Sequence, residues 1–122
     1  MLKYLFALIL LLHGLIHFTG FAKAFGYGNI TQLTKEISKP EGMVWLLTAF
    51  LFITATVLFP LKNVSWPIFC IVAVIMSQVL IINIWSDAKF GTIANAIILI
   101  VAIAGWATQN FKARFRNDVK TN

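Results

Sequence analysis

Apolar residues gather in four long runs, at about residues 2–21, 43–59, 66–85 and 90–111, and charged residues fall almost wholly at their edges, in the stretches between them and in the tail. A helix needs roughly 20 apolar residues to cross the hydrocarbon of a bilayer. Each run meets that requirement within a few residues. The pattern predicts an all-α, integral membrane four-helix bundle, a single membrane domain filling residues 1–122. The first run starts beside Lys3 and ends before Ala22-Lys23-Ala24, a small-x-small pattern that also suits a cleaved leader. Its apolar core exceeds the usual 7–15 residues or so of such leaders, and it carries two histidines, so it reads as a retained span.

The connections have their own signals. Between the first two runs, Ile30, Leu33 and Ile37 recur at helical spacing beside Thr34, Lys35 and Glu36. This predicts a short amphipathic helix lying in the membrane interface, ended by Pro40. Pro60 stops the second run, and Trp66-Pro67 opens the third with proline in a first helical turn, where its missing donor costs nothing. Ser86-Asp87-Ala88-Lys89 forms the last turn, with Asp87 or Ser86 placed to cap the fourth helix. Trp45, Trp66, Trp85 and Trp106 all fall near run ends, the depth an amphipathic ring prefers.

Composition reinforces the picture. Hydrophobic residues make up 60% of the 122 and charged residues only 11%, against about a quarter in soluble domains. The net charge of +6 comes from basic residues scattered at run ends and in the tail, which argues for topological sorting and against nucleic-acid binding. Lys3, Lys62, Lys112, Arg114, Arg116 and Lys120 share one side of the bundle, and Lys23, Lys35, Lys39 and Lys89 the other. The bias predicts cytoplasmic termini. The lone cysteine, Cys70, lies inside an apolar run and reads as a small buried hydrophobe.

Polar side chains inside lipid usually face the bundle interior, a partner or a water-filled cavity. Counting about 1.5 Å of rise per residue, His13 lies near the midplane and His17 roughly 6 Å beyond it. The same count brings Gln78 to the level of His13, and Asn83 and Asn95 close to that of His17. Hence the expectation that His13, His17, Gln78, Asn83 and Asn95 converge in a pocket in the outer half of the bundle, with Glu41, Asp87 and Lys89 at its mouth. The competing expectation is that these groups only join helices, each bond contributing about 0.6–2 kcal/mol.

Four residues apart, His13 and His17 share one helix face and could ligate a metal together, as the histidines of HExxH helices do. Here Gly14 replaces the glutamate, which removes the general base of a zinc hydrolase, and the only nearby carboxylates for the third ligand a metal needs are Glu41 and Asp87 at the rim. Haem ligated by two histidines needs donors on opposite faces of the macrocycle, which one helix face does not supply. Proton handling, or a hydrogen bond to a quinone-like carbonyl, suits the pair better. No catalytic constellation emerges, and the residues name no cofactor.

The stretches His13-Gly14-Leu15-Ile16-His17, Gly20-Phe21-Ala22-Lys23-Ala24-Phe25, Ser77-Gln78 and the run from Trp85 through Asn95 resemble a group of small bacterial membrane proteins, and the architecture is similar to the DoxX-like four-helix membrane family. The resemblance implies a membrane subunit associated with a redox or quinone-linked complex. The histidine pair and the lack of cysteine motifs set this chain apart from thiol chemistry in that family. Three readings follow: a binding or accessory protein for a lipophilic or quinone-like molecule, a structural or assembly protein without a ligand, and metal or proton handling through the histidine pair.

Overall fold

The computed structural model describes residues 1–121. Helix α1 spans Leu2–Phe25, α2 Lys39–Leu58, α3 Trp66–Asn83, the single-turn α4 Trp85–Ala88, and α5 Gly91–Thr121. The four long helices are all long and apolar enough to cross a membrane, and the chain is an all-α four-helix bundle of that kind. Neighbours in sequence are neighbours in space: α1 packs on α2, α2 on α3, and α3 on α5. The ring closes through a narrow seam between α1 and α5. Outward faces carry exposed Leu8, Leu12, Ile75, Val79, Ile82, Ile93 and Ile100, the surface a lipid phase demands.

Helix ends follow local chemistry. Gly26, with φ of 72°, closes α1 four residues beyond the apolar run, because only glycine enters the left-handed region cheaply. Ser38 caps α2, its hydroxyl accepting from the Glu41 backbone N–H at 3.3 Å, and Pro40 sits in the first turn. Pro40 therefore starts a helix instead of ending one.

The expected interfacial helix is absent, since residues 26–38 follow an irregular path with no helix. Ile30, Leu33 and Ile37 nevertheless turn inward: Leu33 and Ile37 are buried with Trp45, Leu80 and Ile84, and Ile30 packs beside them. The spacing reported which side chains are buried, but an irregular loop bent over the bundle end meets the same demand. The loop is a strap closing that end.

Close helix approach uses glycine where a side chain would collide. A Cβ on Gly20 would lie 2.1 Å from the Trp45 ring, and one on Gly105 2.4 Å from Trp66. Trp45 and Trp66 are thus interior packing residues, 3% and 8% exposed, while Trp85, at the start of α4, and Trp106, midway along α5, stay half exposed. Ring size at a run end does not distinguish a headgroup anchor from a bundle plug; the facing glycine does.

Along α1 the buried residues Phe6, Leu10, His13, His17 and Gly20 alternate by fours and threes, the spacing of a helix seam. Layers follow from it. Phe6, Leu10, Phe52, Trp66, Cys70 and Ile98 belong to an apolar core toward the chain termini. Leu33, Ile37, Trp45, Leu80 and Ile84 form a second one under the strap. Between them lies a polar layer.

Candidate functional site

His13, His17, Ser77 and Asn95 occupy buried positions facing the bundle axis, and each is pinned by a named partner. His17 Nδ1–H donates to the His13 carbonyl at 2.7 Å. A carbonyl only accepts, so the Nδ1 nitrogen carries the proton and, in the neutral ring, Nε2 accepts the Ser77 hydroxyl at 2.9 Å. His13 Nε2–H donates to Asn95 Oδ1 at 2.8 Å. The Asn95 amide donates onward to Gln78 Oε1 at 3.0 Å, and Gln78 Nε2 donates to the Thr92 hydroxyl at 3.1 Å. One ordered chain of bonds therefore runs from α1 through α5 to α3 and back to α5.

Aromatic rings wall in the pair. His17 lies 5.2 Å from the Trp45 ring and 5.3 Å from Phe52, and His13 lies 4.9 Å from both Phe52 and His17, ring centre to ring centre. Such walls hold the imidazoles in register. Amide side chains do not readily pass protons on, so the His13–Asn95–Gln78 chain orients the rings instead of conducting.

Not all of the expected set converges. His13, His17, Gln78 and Asn95 come together as the depth count indicated, but Asn83 is exposed, and its backbone carbonyl accepts the Lys35 ammonium at 2.6 Å. The physical reason is angular: at about 100° per residue, Asn83 is turned roughly 140° from Gln78 around α3. Depth alone does not fix direction. Ser77, adjacent to Gln78, was missed as a site residue although its position in line with Ala73, Leu80, Ile81 and Ile84 on the buried face was available from spacing.

The set also divides between two hollows. A cleft of about 580 Å³ is lined by His13, His17, Trp45, Asp87, Phe90 and Ala94, with Gln32 and Leu33 of the strap over it. Gln78 and Asn95 instead line a separate groove of about 460 Å³ between α3 and α5. Asn95 joins the two through its bond to His13.

At the expected mouth, only Asp87 lines the cleft. Its carboxylate does not cap α5; it accepts from the Thr34 hydroxyl at 2.8 Å, the Thr34 backbone N–H at 2.8 Å and the Lys35 backbone N–H at 3.2 Å. These bonds, the Thr34 hydroxyl foremost, hold its carboxyl below the usual carboxylate range, with Lys23 adding attraction. Asp87 is the clasp of the strap. Lys89 is exposed, 5.5 Å from the Phe90 ring centre, and Glu41 is half-buried in the first turn of α2, one carboxylate oxygen enclosed without a partner. The Trp45 indole N–H is likewise buried and unpartnered. Among the described residues, no three histidine, cysteine or acidic side chains stand close enough to share a metal ion.

The chain matches no family model, and no curated protein or solved structure is detectably similar to it. What is established is its class, a small membrane protein of four spanning helices.

Proposed function

We propose that this chain is a membrane binding or accessory protein whose cleft between α1 and α5 takes a lipophilic, quinone-like molecule, and that it serves as a subunit of a membrane redox complex, as its DoxX-like resemblance implies. The observation that carries the reading is the cleft itself. Its volume of about 580 Å³ suits a small ring system, its walls are chiefly apolar, and His13, His17 and Asp87 supply a few convergent polar groups.

The orientation belongs to the same proposal: termini in the cytoplasm of a bacterium, cleft in the outer half of the inner membrane, with the six-to-four excess of basic residues in support. Reporter fusions at the two ends of the chain check it, and a periplasmic signal from either end refutes it.

Binding is tested by titrating a short-chain quinone into the detergent-solubilised protein and following tryptophan fluorescence. Saturable quenching by the wild type and its loss in Ala94→Phe, which fills the cleft, are expected. Equal quenching in both, or none in either, refutes the proposal. A second reading, assembly without a ligand, draws support from the completeness of the His13–Asn95–Gln78–Thr92 chain, which needs nothing from outside. Gentle extraction that recovers a stoichiometric partner chain and no small molecule favours it.

A further inference from the structure

The opposite end of the bundle holds a feature that the cleft does not use. Lys3 at the start of α1, Lys62 in the α2–α3 connection and Lys112 on α5 line one hollow of about 440 Å³, with Tyr4, Trp66 and Gln109 completing it. No acidic residue lines it. Of the four acids in the chain, Glu36, Glu41 and Asp87 belong to the strap end, leaving only Asp118 in the tail on this side. Among the described residues none of the three lysines has an acidic partner in the hollow, and the Lys3 ammonium lies 5.2 Å from the Tyr4 ring centre.

Lys62 adds an independent observation. It is the one non-glycine residue among those described with positive φ, 58°. The bonds Asn63 N–H to the Leu58 carbonyl and Lys62 N–H to the Phe59 carbonyl, both 3.1 Å, form the six-to-one and five-to-two closures of a helix terminus whose left-handed position is normally glycine. Here that position carries a lysine facing the hollow. Backbone ease would favour glycine, whereas charge toward the hollow favours lysine.

A third feature selects the ligand. An apolar groove of about 440 Å³, lined by Leu5, Phe6, Ile9, Ile97 and Val101, runs between α1 and α5 and shares Lys3 and Phe59 with the hollow. A cationic hollow continuous with an apolar groove on a lipid-facing surface has the form of a phospholipid: phosphate above, acyl chain below. Basic pockets between spanning helices hold anionic headgroups in this manner.

The geometry points to an annular site for one anionic phospholipid, its phosphate held by Lys3, Lys62 and Lys112 and an acyl chain lying along the α1–α5 groove. The experiment is native mass spectrometry of the delipidated full chain titrated with phosphatidylglycerol, with phosphatidylcholine and inorganic phosphate as the comparison arms. Phosphatidylglycerol is expected to bind preferentially. Lys62→Gly and Lys112→Gln each weaken it about fivefold, the effect of one lysine near an anionic headgroup. Because glycine relieves the backbone, Lys62→Gly keeps or raises the melting temperature while it loses lipid, which separates binding from folding. Equal affinity for phosphatidylcholine, or unchanged affinity in the double variant, overturns the site. Displacement of the lipid by millimolar inorganic phosphate overturns the lipid assignment in favour of a free-phosphate site.

Discussion

Asn95→Ala is the most informative single change, because Asn95 is bonded to both His13 and Gln78 and so ties α5 to α1 and to α3. It accepts from His13 at 2.8 Å and donates to Gln78 at 3.0 Å, and it is 2% exposed. In a bilayer the separated helices remain solvated by lipid, so the hydrophobic term nearly cancels and packing and hydrogen bonds decide stability. At about 0.6 kcal/mol per interhelical bond, two bonds give a loss of roughly 1.2 kcal/mol, with about 1.7 per bond as the upper end. The His13 bond crosses the α1–α5 seam, the thinnest contact in the ring, so the cycle His13→Ala, Asn95→Ala and both together isolates it. A coupling of about 0.6–1.7 kcal/mol is expected. The assay is equilibrium unfolding in mixed micelles by SDS titration, with Asn83→Ala as the control. Asn83 is exposed with no side-chain bond among the described residues, and its loss falls within about 0.5 kcal/mol of zero. A coupling indistinguishable from zero, or an Asn83→Ala cost equal to that of Asn95→Ala, refutes the argument.

Gly20→Ala places a Cβ 2.1 Å from the buried Trp45 ring; a loss of about 3 kcal/mol is expected from overpacking, read as a lowered melting temperature in detergent and largely restored by adding Trp45→Leu. For the clasp, Asp87 titrates at a depressed value when folded, so its stabilisation of the strap is complete at and above the ordinary carboxyl pKa of about 4 and is lost as pH falls through the depressed value. The Thr34 and Lys35 amide resonances report this: they hold steady from neutral pH down to about 5 and move only at lower pH, whereas movement between neutral pH and that point refutes the clasp.

Helix number and approximate span limits were legible because lipid imposes long apolar runs that little else produces. The ends were less so. Gly26, Ser38 and Pro40 are strong end signals, yet Pro40 fits either the close of a preceding helix or the first turn of a following one, and only the Ser38–Glu41 bond decides. The depth count brought Gln78 to the level of His13 and Asn95 to that of His17, within about a helical turn of the observed His13–Asn95 and Asn95–Gln78 bonds, because distance along a helix axis needs only the rise per residue. It failed for Asn83, where rotation about the axis mattered, and it missed Ser77, whose small hydroxyl meets His17. The clasp was not legible at all, since Thr34 and Asp87 are separated by 53 positions and a loop without periodicity brings them together.

The narrow α1–α5 seam sets how the histidines meet the outside. Ile16 and Phe90, both exposed, flank the cleft, while the strap crosses its end. On the proposed function a lipophilic solute enters sideways, through hydrocarbon past Ile16 and Phe90, and not downward from water. For a solute taking that route the governing variable is its mole fraction in the lipid, so occupancy at fixed total solute falls as lipid or detergent is added. Diluting with bilayer acts as competition, and affinities for the cleft compare meaningfully only at a common solute-to-lipid ratio.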